Sequence, residues 1–234
     1  MLKGRKTDNS SMRVYLETIE SIVGHHGLKS VLNYAHLEKY IDNFPPPNNQ
    51  IDIPLEDLQN LCRSLLELFG KKGIRSLQLR VGREIIRRSL EKRSCIVKLL
   101  LLLRLLPSEH SQVKRALNGL MRAVEKSYPC KRDILQGAQL ELREDEDYFF
   151  IIYRGNWESE DVLSSLPVCH VTVGAIGAFL EWATGHVYEV KEIECKAMGH
   201  PADVFRISKM HEEEINLGSP DSSKDRVRPF LVRF

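Results

Sequence analysis

From Met12 onward the apolar positions recur at helical spacing: Met12, Tyr15, Leu16, Ile19, Ile22 and Val23, with His26-Gly27 ending the run. A second helix is expected over 28–41. The stretch NFPPPNNQIDIP (43–54) is too rich in proline and asparagine for a regular element. Leu55, Leu58, Leu61, Cys62, Leu65 and Phe69 then mark an amphipathic helix ended by Gly70, and an arginine-rich helix covers 74–92. Residues 96–106 read as a buried helix. Ser111 is expected to cap a further one, with Val113, Ala116, Leu117, Leu120, Met121 and Val124 on one stripe. Near residue 134 the period changes. AQLELRED and DYFFIIYRG read as two strands across an acidic turn. Residues 167–185 form a helix between Pro167 and Gly185, and two more strands follow around a turn at 199–202.

The pattern therefore predicts an α+β fold in a single domain. A helical layer (12–133) packs on a four-stranded antiparallel sheet (134–209) whose strand pairs are separated by a buried helix. Residues 1–11 are expected to be a flexible lead and 210–234 a flexible tail. The longest apolar run, 96–107, is too short to span a membrane and carries Lys98 and Arg104.

The formal charge is only +2, but it is unevenly distributed. The segment 71–132 holds 17 Lys/Arg against four acids, which suits either solvated helix faces or an acidic partner. Nucleic acid is not the expected partner, because the basic segment lacks interleaved aromatics for stacking. Five cysteines, widely spaced and without CxxC, fit free thiols in the cytoplasm. The sequence shows no phosphate-binding loop, dinucleotide glycine fingerprint or H-E-x-x-H, so no nucleotide cofactor is indicated.

The chemistry concentrates near the C-terminal end. The 167–185 helix carries Val171, Val173, Ile176, Phe179, Leu180 and Trp182, together with a small face of Gly174, Ala175, Gly177 and Ala178. Glycine in a helix costs about 1 kcal/mol relative to alanine. That cost suggests close approach by a strand or a flat ligand. Cys169 starts this helix, where the dipole favours a thiolate. Cys195 follows at the end of the next strand. Glu192, Glu194, His170, His200 and Asp203 add further ligating atoms. Glu192 and Cys195 have opposite parity on a regular strand, so both face one site only if the strand bulges or ends between them.

CHVTVGAIGAFLEWATGHVYEVKEIECKAMGHPADVFRI resembles the C-terminal half of the 4-vinyl-reductase domain family. The matching features are Cys169, the Gly-Ala helix, Thr184-Gly185, E-x-x-C at 192–195, AMGHP at 197–201 and Phe205. RVGREII (80–86) also resembles the family's R-x-G-R segment. The motif-level likeness covers about 165–208, and the order of elements extends it over 12–164. Fold relatives of the family include aromatic-responsive sensor domains, haem–nitric-oxide-binding domains and transport-particle subunits. In the aromatic-sensor branch a zinc ion is held by Cys, Glu, Cys and Cys. The matching positions here are Cys169, Glu192, Cys195 and Asp203, so an aspartate replaces one cysteine and makes iron an alternative to zinc.

The resemblance implies a carrier or sensor for a hydrophobic small molecule: a tetrapyrrole, an aromatic or an acyl chain, with pigment metabolism as one setting. Phe149, Ile151, Val173, Ile176, Phe179 and Trp182 are expected to line its pocket. Arg80, Arg83, Arg87 or Arg88 would meet an acidic group on the ligand. A homodimeric scaffold like the transport-particle subunits is the alternative. A vinyl reductase is the second alternative, and it would need an external reductant.

Overall fold

The computed structural model describes residues 4–91, 104, 108–127 and 139–211. The expected helix at 96–106, apart from Arg104, and the tail from 212 onward lie outside the described residues. Helix α1 (Asn9–Tyr34) begins where Asp8 Oδ1 accepts a hydrogen bond from the Ser11 N–H at 2.9 Å. It breaks at Gly24, whose φ of 75° suits glycine, and not at Gly27, which stays helical. Helix α2 (Leu55–Glu91) breaks at Gly70, the position read from the pattern. Helix α3 (Glu109–Ser127) is capped by Ser108, not Ser111: the Ser108 hydroxyl accepts from the Ser111 N–H. The cap sits one turn earlier than expected because Glu109 and His110 are already helical.

The lead is partly structured. Strand β1 (Lys6–Thr7) pairs with β2 (Ile53–Pro54), joining the start of the chain to the end of the proline-rich loop. The main sheet comprises β3 (Gln139–Glu144), β4 (Tyr148–Arg154), β5 (Tyr188–Glu194) and β6 (Asp203–His211). It is antiparallel throughout, in the order β3-β4-β6-β5. Helix α4 (His170–Thr184) lies in sequence between the two strand pairs and ends at Gly185, which adopts the left-handed φ of 89°.

The core has two parts. Met12, Leu16, Leu32, Leu61 and Leu65 bind the helical layer together. Phe149, Phe205, Ile207, Leu117 and Leu180 fill the space between sheet, α3 and α4. Helices α2 and α4 join the two parts at a very close crossing. A Cβ built on Gly82 would lie 2.1 Å from the Val171 carbonyl oxygen, and one on Gly174 would lie 2.3 Å from that of Leu79. The small-residue face therefore admits another helix, not a strand or a flat ligand. Gly82 is the glycine of the RVGREII segment.

Candidate metal centre and ligand cavities

Four side chains converge at the N-terminal end of α4. Cys169 occupies its N-cap position, Glu192 and Cys195 come from the end of β5, and Asp203 opens β6. All four are buried, and one ligand atom from each lies within 4.8 Å of the others. The parity problem is resolved by both permitted routes. The β5–β6 register shifts between Glu192 and Glu194, and β5 ends at Glu194 just before Cys195.

The cluster is built and oriented by hydrogen bonds. The Cys169 N–H donates to Glu192 Oε2 at 2.9 Å, while the buried Glu192 Oε1 has no hydrogen-bond partner among the described residues. Asp203 Oδ2 accepts from the Ser159 hydroxyl at 2.6 Å, and Oδ1 from the Lys196 N–H at 2.7 Å. Burial raises the Cys169 thiol well above its ordinary pKa, helped by its hydrogen bond with Cys195 and the nearby carboxylates. Burial likewise raises Glu192, against hydrogen bonds from both thiols and from the Cys169 N–H. Desolvation thus outweighs the helix dipole, and the thiolate form of Cys169 needs a cation beside it. The donor set fits one: two sulfurs, a carboxylate with an orphaned buried oxygen, and a second carboxylate held by two donors. His170 and His200 are outside this cluster. His170 faces a cavity with its pKa lowered to about 4, by burial first and by Arg75 second. His200 is exposed.

Two cavities flank α4. The first encloses about 560 Å³ between α1, the end of α2, α3, strands β3 and β4, and α4. Ile86, Leu120, Val124, Ile151, Ile176 and Phe179 supply much of its wall. The second, of about 590 Å³, lies on the opposite side, between α2, the 157–168 loop and β5. Glu192 reaches it, as does Val173, while Lys71, Lys72, Arg75 and Lys191 stand on its wall.

The expected lining residues are therefore divided. Ile151, Ile176 and Phe179 face the first cavity and Val173 the second. Phe149 is fully buried in the sheet core and stacks on His110, with ring centroids 5.2 Å apart. Trp182 packs against the same core cluster, and neither aromatic lines either cavity. Arg80 and Arg83 line neither cavity, because Ile74, Leu77, Gln78, Val81 and Gly82 define the buried face of α2. Arg88 and Arg13 reach the first cavity instead, and both pair with Glu17. Arg87 holds Glu84 and Glu91 along its own helix.

The loop following β4 was not legible as part of the site. Asn156, Glu158 and Ser159 are buried. Glu158 Oε1 accepts from the Val171 N–H at 2.8 Å, and Oε2 from the Thr172 N–H at 2.9 Å and its hydroxyl at 2.6 Å. This carboxylate caps α4, the role its N-cap residue Cys169 does not fill. The available signal was the acidic and hydroxyl-bearing NWESE segment shortly before a helix.

The family model of the 4-vinyl-reductase domain matches residues 152–209, which run from β4 through α4 to β6. The chain thus carries this domain over a stretch that contains all four clustered side chains. No curated protein matches the chain. Among solved structures, the Fe(II) unliganded H-NOX protein from K. algicida is 14% identical with a TM-score of 0.57, over 86% of this chain and 95% of that one. An H-NOX protein from S. oneidensis in the Fe(II)NO ligation state is 12% identical with a TM-score of 0.50, over 83% and 97%. These likenesses show that the helical layer and sheet share the H-NOX fold. Among the described residues, no helix is long and apolar enough to cross a membrane.

Proposed function

We propose that this chain is a binding domain for a hydrophobic small molecule, acting as a carrier or sensor, with a zinc ion at Cys169, Glu192, Cys195 and Asp203. The observation that carries the reading is the first cavity. Its volume of about 560 Å³ falls in the range of small-molecule sites, and its wall is mainly apolar with a few polar groups at one end. Arg13, Arg88 and Asn156 are among those polar groups. Because Glu17 already pairs with both arginines, the apolar body of a ligand contributes more than an acidic head would.

A haem does not fit this cavity in the usual way. Among the described lining residues there is no histidine or cysteine to serve as axial ligand. A metal-free tetrapyrrole, an aromatic or an acyl chain needs no such ligand. The four-donor cluster would hold zinc as a closed structural site, the ion stabilising the thiolates and clamping the start of α4 to β5 and β6. Helix α4 then runs from the metal cluster at Cys169 to the cavity wall at Ile176 and Phe179. A rigid helix anchored at one end and contacting ligand along one face suits a sensor.

The test is thermal unfolding of the purified chain with palmitate, phenol or protoporphyrin IX. A ligand present at a hundredfold its dissociation constant adds about 2.7 kcal/mol to stability. A clear rise in Tm with at least one compound is expected. No shift with any of them, and no small molecule extracted from native protein, would reject the reading. The scaffold alternative draws on exposed Leu66, Leu163 and Leu166 at the mouth of the second cavity. It predicts a concentration-dependent dimer in sedimentation that Leu166→Glu disrupts.

A further inference from the structure

Beyond the cysteine cluster, a second group of ligating side chains gathers at the opposite end of α4. Glu109 is the first residue of α3, His186 follows the Gly185 cap of α4, and His211 ends β6. One ligand atom from each lies within 4.8 Å of the other two. We propose that Glu109, His186 and His211 form a second divalent-cation site, with a two-nitrogen, one-oxygen donor set suited to zinc, nickel or copper.

Three features besides proximity support this. The imidazoles of His186 and His211 stack with centroids 4.4 Å apart and planes 10° from parallel, so both can present ring nitrogens along one edge of the stack. The Tyr188 hydroxyl donates to Glu109 Oε1 and orients that carboxylate, the outer-sphere arrangement that positions a metal ligand. The backbone is fixed where His186 enters, since its N–H donates to Thr184 Oγ1 at 3.1 Å. The side chain of His211 is 12% exposed and that of Glu109 is 32% exposed, so the group is sheltered yet reachable.

Ligands bound at about 2.0–2.1 Å to a tetrahedral ion lie roughly 3.4 Å apart. Small side-chain rotations bring this group to that spacing. Two histidines and a glutamate are a known zinc donor set with a fourth position left for water. The site differs from the cysteine cluster in softness, containing no sulfur, and in exposure. Occupancy would tie the start of α3 to α4 and β6. Since α3 supplies Leu120, Met121 and Val124 to the first cavity, the ion would brace one wall of that cavity. Cation binding here depends on this side-chain group alone, whether or not the cavity takes a ligand.

The experiment is equilibrium dialysis of the full chain against zinc, with elemental analysis and a thermal melt. It compares wild type, the double variant His186→Asn/His211→Asn, Glu109→Gln and Cys195→Ala. Both variants of the new site should carry one zinc fewer per chain than wild type and show a smaller zinc-induced rise in Tm. Cys195→Ala should keep the zinc that the double variant lacks. Glu109→Gln retains an oxygen acceptor for Tyr188 and decides the matter if the double variant does not fold. Equal zinc content and equal thermal shift in wild type and the site variants would overturn the proposal, whatever Cys195→Ala does.

Discussion

Gly82→Ala and Gly119→Ala are the same chemical change in two helices, and opposite outcomes are expected. At Gly82 the new methyl would sit 2.1 Å from the Val171 carbonyl oxygen and 2.8 Å from the Ala175 nitrogen. Comfortable carbon–oxygen contacts begin near ~3.3 Å. The methyl must therefore move by about 1.2 Å relative to backbone that has no rotamer to change. Alanine regains about 1 kcal/mol of helix propensity. Overpacking costs about 1–3 kcal/mol, and the upper end applies where two backbones must separate. A net loss of about 2 kcal/mol is expected. At Gly119, which is exposed on α3, the added methyl meets nothing within 4 Å. Only propensity changes there, and a gain of about 0.5–1 kcal/mol follows. In a chain of this size each kcal/mol moves Tm by about 2–4 °C. Urea unfolding followed by circular dichroism measures both variants. Gly82→Ala as stable as wild type would refute the claim that the α2–α4 crossing is set by backbone contact at these glycines.

The metal cluster yields a second expectation. Cys195→Ala should lose the sulfur-bound ion, whereas Asp203→Cys should bind zinc more tightly by restoring a third thiolate; competition with a chromophoric chelator reports both, and weaker binding in Asp203→Cys would remove Asp203 from the site. Glu158 gives a pH dependence. Burial pushes its carboxyl up to about 8, against the donors of Val171 and Thr172. Between the ordinary value of 4.5 and about 8 the unfolded chain binds fewer protons than the folded one, so stability falls as pH rises through that window. The fall from this group is on the order of a few kcal/mol. Urea melts across that window should show a shallower decline for Glu158→Gln than for wild type, and parallel curves would contradict the assignment.

The helical layer, the strand-strand-helix-strand-strand order and the breaks at Gly70 and Gly185 were legible because each rests on local periodicity or a residue-specific backbone angle. The break at Gly24 was not, since Gly27 lies nearby and composition does not say which glycine takes a positive φ. The orientation of the arginines was legible in principle. The spacing of Ile74, Leu77, Val81 and Gly82 sets the buried face of α2, and Arg80 and Arg83 fall off it. Convergence of Cys169, Glu192, Cys195 and Asp203 depended on a register shift in β5, a property of strand pairing that one strand's sequence does not encode. The burial of Glu158 and Ser159 was hidden for a related reason. Polar loop residues are usually solvated, and here the orphan amides of α4 and the carboxylate of Asp203 draw them inward.

The central claim is that the space between α3, α4 and the sheet holds a hydrophobic molecule. Titration of an environment-sensitive apolar fluorophore into wild type and Ala123→Trp tests it directly, because Ala123 lies on the wall of that cavity and an indole there occupies the space. Saturable binding at one site in wild type, weakened at least about tenfold in an Ala123→Trp variant of unchanged helical content, is the predicted result, equivalent to a loss of about 1.4 kcal/mol or more. Equal affinity in the two proteins would contradict it.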